Sequence, residues 1–259
     1  EDSGFGMTEK LDMTLREDGE GYSHWQYRGQ IDSEADLDRI KVPIVTCCGE
    51  PTQSQFESLT DLLGDLLRVE MRGIPHVWFS PWEQLARWWN TEKAILDLSW
   101  RPELAHGAMD RLVESHLGRL EQWEALGLLS VCPGNYPVGT GGPGFHEQLQ
   151  PAAASPVRPD DQWGCASASI LAMVSPLMHE EFAIDYERQW LEQFAWTYYG
   201  SDEPLHHKLG ILESIPNLRK VSISPHADIA TAAWQMAGRY VMSLKPDPAV
   251  LAEDGWDLE

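Results

Sequence analysis

The chain has 259 residues, enough for one or two domains with a sizeable core, and 42 % of them are hydrophobic, an ordinary globular composition. Forty-one acidic residues against 19 basic ones give a formal charge of −22, which opposes binding to nucleic acid or to an anionic membrane. No apolar run reaches the ~18 residues of a membrane span and no charged-then-apolar export signal opens the chain, so a cytoplasmic protein is expected. The cysteines, Cys47, Cys48, Cys132 and Cys165, have neither CxxC spacing nor a small disulfide framework and suit a reducing compartment.

Residues 1–30 are polar and glycine-rich, and the alternation around Tyr22–Tyr27 suggests an antiparallel hairpin over one end of the main domain. Ser33 is placed to cap a short helix that Pro43 stops. Phe56, Leu59, Leu62, Leu63, Leu66 and Leu67 have helical spacing and predict a helix over 52–67. His76–Ser80 reads as a buried strand, and Pro81 opens a helix carrying Leu85, Trp88 and Trp89. Further helices are expected over 92–98 and 102–127, then a strand at 128–132.

The stretch 133–160 is rich in Gly, Pro and Ala, and a loop of that length is usually functional or mobile. Strands are expected at 162–167, 196–199, 220–224 and 240–244. Ser175 caps a helix over 176–194. This rhythm predicts an α/β fold: a TIM-like (β/α)8 barrel, incomplete, with five or six βα units in residues 71–259. Residues 1–70 would pack on it as a polar hairpin and helical segment. Neither GxGxxG after an early strand nor GxxxxGK[ST] occurs, so a nucleotide-binding sheet has no support.

Polar residues collect just after the later strands, where barrel folds carry their chemistry. Asp202, Glu203, His206 and His207 follow the strand at 196–199, beyond Gly200. Asp202, Glu203 and His206 are candidate acid/base residues, and Glu203, His206 and His226 a candidate oxygen/nitrogen metal set for zinc or another divalent ion. The alternative is that an acid caps the next helix and the histidines are solvated. Asp228 either orients His226 or caps the helix that follows. Asn135 and Tyr136 with the glycines beyond them could wall a substrate site, or form a plain surface loop. Trp78, Tyr199 and Lys245 complete the candidate substrate contacts.

The strings RGIPHVWFSPWEQLARWW, NYPVGTGGPG, WGCASASILAMVSPLMHEEFAIDYERQWL, YYGSDEPLHHKLGIL, IPNLRKVSIS and YVMSLKPDPA resemble the uroporphyrinogen-decarboxylase-like superfamily. The branch is a bacterial one near the corrinoid-dependent methyltransferases. The resemblance covers most of the chain from Ile31 onward. It implies methyl transfer from a small methylated substrate to a corrinoid protein. A decarboxylase of a porphyrinogen or another small acid, and a corrinoid- or small-molecule-binding protein without turnover, are the alternatives. The His-x-Cys zinc motif of the corrinoid methyltransferases has no counterpart here, and Ser201 or Asp202 stands where many relatives carry cysteine. The tetrapyrrole-gripping arginines and aspartate of the true decarboxylases also have no counterpart. Relatives of this branch are longer at both ends, so an internal fragment is expected. The open edges of its barrel would be covered by residues 1–70, by another copy in a homo-oligomer, or by further segments.

Overall fold

The computed structural model describes residues 1–15, 22–47, 49–131, 136–144, 156–253 and 255. Its centre is a five-stranded parallel sheet: β3 (Trp78–Phe79), β4 (Trp163–Ala166), β5 (Trp196–Tyr199), β6 (Leu218–Ile223) and β7 (Val241–Leu244). The strands lie side by side in chain order. The register pairs Trp78 with Cys165, Cys165 with Tyr198, Tyr198 with Lys220 and Lys220 with Val241. At 128–132, where a further strand is expected, the described residues form a single parallel bridge between Leu129 and Ile74. The Gln162 side chain donates to the carbonyls of both Ile74 and Ser130 at 2.7 Å and ties that bridge to the start of β4.

Successive side chains of a strand point to opposite faces, and the two faces differ. Phe79, Ala166, Tyr199, Val221 and Ile223 join the main apolar core with Trp82, Leu85, Leu112, Trp190 and Met236 from the helices. Phe79 stacks on Trp190 with ring centroids 5.0 Å apart. Cys165, Trp163, Tyr198 and Val138 form a second cluster on the other face, with Trp78 and Trp196 packed against it. Residues 136–144 lie against that face. Lys220 Nζ donates to the carbonyls of Gly141 and Pro143, at 3.0 and 2.8 Å. A Cβ on Gly139 would sit 2.3 Å from the Trp78 ring, so only glycine allows this approach.

The amino-terminal segment forms an antiparallel hairpin of β1 (Leu11–Leu15) and β2 (Tyr22–Tyr27) and the one-turn helix α1 (Glu34–Leu37). Asp36 accepts from both the N–H and the hydroxyl of Ser33 and closes α1 at its start. Phe5, Met7, Ile31, Leu37, Ile40 and Val45 belong to the same core as the helices. The next helix, α2, spans Gly49–Leu63, earlier and shorter than the expected 52–67, and none of its residues is buried. Its leucine spacing reads helix correctly, but Phe56 and Leu63 are only half-buried and Leu62 is 74 % exposed.

Pro81 opens α3 (Pro81–Trp89) and Pro102 opens α5 (Pro102–Ala125). The left-handed Asn90, φ 78°, turns the chain between α3 and α4 (Thr91–Trp100), and its side chain accepts from Lys93 N–H. Ser175 caps α6 (Pro176–His179), its hydroxyl accepting from Met178 N–H. The expected single helix to 194 is interrupted by a π-helical turn, Glu180–Ile184, before α7 (Asp185–Leu191). Such turns mark places where a helix re-aims its side chains.

Between β5 and β6 the described residues form no α-helix. Short 3₁₀ turns, Leu205–His207 and Ile211–Ser214, connect β5 to β6. Leu205, Leu209 and Leu212 are all buried there, so the segment is drawn flat onto the core. Asp228 caps α8 (Ile229–Met236), and Asp247 caps α9 (Pro248–Leu251). Among the described residues no helix is long and apolar enough to cross a membrane.

Candidate active site

The carboxyl ends of β3, β4 and β5 bring polar side chains to one place. Beyond β3 come Ser80 and, in the first turn of α3, Glu83. Beyond β4 come Ser167 and Ser169. Beyond β5, Gly200 has φ +96°, a conformation glycine adopts freely, and a Cβ there would sit 2.6 Å from the Leu205 side chain. That turn swings Glu203 back towards β4. Ser80 and Ser167 share a hydrogen bond of 2.9 Å between hydroxyls.

Ser169 joins two carboxylates. Its N–H donates to Glu83 Oε1 at 2.5 Å and its hydroxyl donates to Glu203 Oε2 at 2.9 Å. Glu203 Oε2 also accepts from Ser201 N–H at 2.8 Å. Glu83 Oε2 and Glu203 Oε1 are buried and take no hydrogen bond. Burial pushes the Glu83 carboxyl up to about 7; the Ser169 and Ile170 N–H groups oppose the shift, and the Glu203 charge adds to it. A carboxyl poised there can hold or release a proton at neutral pH.

Behind this pair runs a buried chain of donors. Lys208 Nζ donates to the carbonyls of Leu171 and Ala172, at 2.7 and 3.0 Å, and to His179 Nδ1 at 3.1 Å. An ammonium has no acceptor, so Nδ1 accepts and the neutral ring carries its proton on Nε2. That Nε2–H donates to Tyr199 Oη at 2.8 Å, and the Tyr199 hydroxyl donates to Glu187 Oε2 at 2.8 Å. Burial, with the Lys208 charge adding to it, brings His179 down to about 3, which fixes this neutral form. Burial brings Lys208 down to about 8 and raises Glu187 well above the ordinary carboxylate range.

Two cavities flank the site. A groove of about 460 Å³ between residues 4–9 and α3 is lined by Trp78, Ser80, Glu83, Gln84 and His116 among others. A cleft of about 550 Å³ on the far side of the 169–172 turn is lined by His206, His207, His226 and Lys208 with Pro204 and Ala172.

The residues singled out from sequence fall into separate places. Glu203 is in the carboxylate pair. Tyr199 lies on the helix-packed face, fully buried in the donor chain. His206 and His226 share the cleft, His206 with a buried Nδ1 that takes no hydrogen bond. Asp202 is exposed and ion-paired with Lys245 at 3.5 Å, and Lys245 also donates to Thr140 Oγ1 at 2.6 Å. Trp78 is tilted against Tyr198, centroids 6.2 Å apart, and Tyr136 stands edge-on to His76 at 6.1 Å. Asn135 lies outside the described residues. Among the described residues no group of three or more His, Cys, Asp or Glu is placed to hold a metal ion. Glu203 bonds inward to Ser169, and His226 is exposed.

Glu83, Ser169, His179, Glu187 and Lys208 were not singled out. The one available signal was that Glu83 follows the strand-ending Ser80-Pro81, the same position after a strand that drew attention to Glu203. No protein-family model matches the chain, and no curated protein matches it.

Proposed function

We propose that the chain is part of an enzyme acting on a small molecule, built as an incomplete (β/α)8 barrel of the uroporphyrinogen-decarboxylase-like superfamily. The activity proposed is transfer of a methyl group from a heteroatom of the substrate to a corrinoid-bearing partner protein. The sequential order of the parallel strands, with the helices packed on one face, supports the barrel reading, because doubly wound sheets reverse their order and are covered on both faces.

The observation that carries the catalytic reading is the Ser169-bridged pair, Glu83 and Glu203, at the carboxyl ends of three neighbouring strands. The corrinoid, when docked, supplies the nucleophile that accepts the methyl group. Glu83, poised near neutral pH, delivers its proton to the heteroatom as its bond to the methyl carbon breaks. Ser169 and Ser201 hold Glu203 beside it, and the Glu203 charge keeps that proton on Glu83 until transfer. The superfamily label and the methyl chemistry rest on the sequence resemblance. For a divalent ion on Glu203, His206 and His226 the open carboxylate oxygen is Glu203 Oε1, and metal analysis of purified protein tests that separately.

The test mixes the protein with reduced corrinoid protein and a panel of methylated ethers, amines and thioethers, and follows the corrinoid absorbance and any CO₂ released. Methylation of the corrinoid that Glu83→Gln slows by ~10²-fold or more supports the reading. CO₂ release without methylation transfers it to decarboxylation of a small acid. Turnover undiminished in Glu83→Gln removes the carboxylate pair from the chemistry.

A further inference from the structure

We propose that Lys208 is a positioning residue for the Glu83–Glu203 pair, clamping the 169–172 turn so that Ser169 reaches both carboxylates. The inference rests on the reading of that pair as the active site, but its test below reads geometry and protonation, not turnover.

The turn has two ends. At its start, Ser169 N–H and Ile170 N–H face Glu83 Oε1, at 2.5 and 3.4 Å, and the Ser169 hydroxyl faces Glu203. At its finish, the carbonyls of Leu171 and Ala172 are both taken by Lys208 Nζ. Leu171 is fully buried, so its carbonyl cannot fall back on water. The third proton of the ammonium goes to His179 Nδ1, so every donor on Lys208 is used. Lys208 is itself 5 % exposed. A buried ammonium is tolerated only with its donors satisfied, and two of the three are satisfied by consecutive carbonyls of this turn.

The groups facing Lys208 are consistent with a clamp. From α6 comes His179, held neutral. Behind His179 stand Tyr199 of β5 and Glu187 of α7. Glu203, from the β5–β6 connection, is the carboxylate whose charge favours the ammonium. His206, His207 and His226 line the same cleft as Lys208.

The experiment follows the Glu83 carboxyl by ¹³C NMR in glutamate-labelled protein, with Glu83→Gln assigning the signal. The Ser169 and Ile170 N–H bonds hold the Glu83 midpoint down. In Lys208→Met the turn is released, those bonds weaken, and the midpoint is expected to rise by ~0.5–1 unit. Lys220→Met, which removes a buried lysine from the opposite face of the sheet, is expected to leave it in place. An unchanged midpoint in folded Lys208→Met overturns the proposal, as does an equal rise in Lys220→Met.

Should Lys208→Met fail to fold, the wild-type protein supplies the answer. Its Lys208 ammonium is expected to exchange slowly and to show through-hydrogen-bond coupling to the Leu171 and Ala172 carbonyl carbons in ¹⁵N,¹³C NMR. An ammonium that couples to neither carbonyl overturns the clamp. A clamp upheld in a protein without methyl transfer activity leaves this inference standing and defeats only the functional reading.

Discussion

Glu83 and Glu203, from opposite sides of β4, close on the same serine, one through its N–H at 2.5 Å and the other through its hydroxyl at 2.9 Å. Each keeps a second oxygen buried and without a hydrogen bond. Burial pushes the Glu83 carboxyl up to about 7, and the Glu203 charge adds to that shift.

Glu83 therefore makes the fold sensitive to alkali. Its folded-state value lies above the unfolded 4.5, so between those values the native chain holds a proton that the unfolded chain has released. Stability contributed by that proton is complete below about 4.5 and is lost as pH rises through about 7. The ceiling is ~3 kcal/mol from a shift of this size. Glu83→Gln is expected to flatten the fall in unfolding free energy between pH 5 and 8, measured by urea titration at several pH values. An identical slope in wild type and variant would show that Glu83 titrates normally.

The acid side belongs to His116. It is buried beneath Phe5 and Phe79, and burial, with help from Arg119, brings it down to about 3. Its Nδ1 accepts from Arg119 at 3.1 Å, so Nε2 carries the proton to Gln84 Oε1 at 2.9 Å. The unfolded imidazole takes up a proton near 6.5 and the folded one does not, so stability falls as pH drops from about 6.5 towards 3. His116→Gln keeps a donor and an acceptor and is expected to shallow that acid limb. Its cost at pH 8 is ~1–2 kcal/mol from imperfect packing. An acid limb as steep as that of wild type would assign the loss to other groups, with His179 the next candidate.

Much of the fold was legible because local chemistry and tertiary structure agree. Pro81, Pro102, Ser175 and Asp228 start helices where they stand in the sequence, and β5 and β7 begin and end within a residue of the apolar runs at 196–199 and 240–244. The site was legible only in part, because its hydrogen bonds cross long stretches of chain. Glu83 and Ser169 are 86 residues apart and Lys208 and Leu171 are 37. Ser169 lies in no motif, and Lys208 reads as an ordinary surface lysine until Leu205, Leu209 and Leu212 turn that segment inward. Glu203 was found because its glycine hinge, Gly200, sits beside it in sequence. The metal grouping of Glu203 with His226 assumed that all polar residues after a strand face one cavity; Glu203 bonds inward to Ser169, and His226 lines the cleft with His206.

The glycine-rich segment 136–144 tests how tightly the sheet face is covered. A Cβ at Gly139, φ +55°, would meet Trp78 at 2.3 Å and Tyr198 at 3.2 Å, whereas at Gly142, φ +74°, nothing lies within 4 Å. Gly142→Ala should cost only the backbone penalty, ~1 kcal/mol. Gly139→Ala adds the clash and should cost ~2–3 kcal/mol. Guanidinium unfolding followed by tryptophan fluorescence separates them, and equal midpoints would mean that the loop does not press on Trp78.

The buried end of the donor chain makes a sharper contrast between two conservative changes. Glu187 is fully buried and burial raises its carboxyl well above the ordinary range, which favours the protonated, neutral acid. Glutamine has the same shape and the same charge, so Glu187→Gln should be nearly neutral at pH 7. It should become the more stable form at alkaline pH, where wild type begins to pay for a buried carboxylate. Tyr199→Phe loses only an oxygen, but that oxygen is the sole described link between His179 Nε2 and Glu187 Oε2. Both groups are then buried without partners, at ~1–3 kcal/mol each. Tyr199→Phe should therefore destabilise by several kcal/mol while Glu187→Gln does not. The double variant should fall short of the sum of the two, because the glutamine amide adapts to a missing hydroxyl better than a buried acid does. Urea unfolding of the four proteins at pH 7 and pH 9 measures all three quantities. A Glu187→Gln protein as damaged as Tyr199→Phe at pH 7 would mean that Glu187 is ionised in the fold, and that the chain ends on a carboxylate instead of an acid.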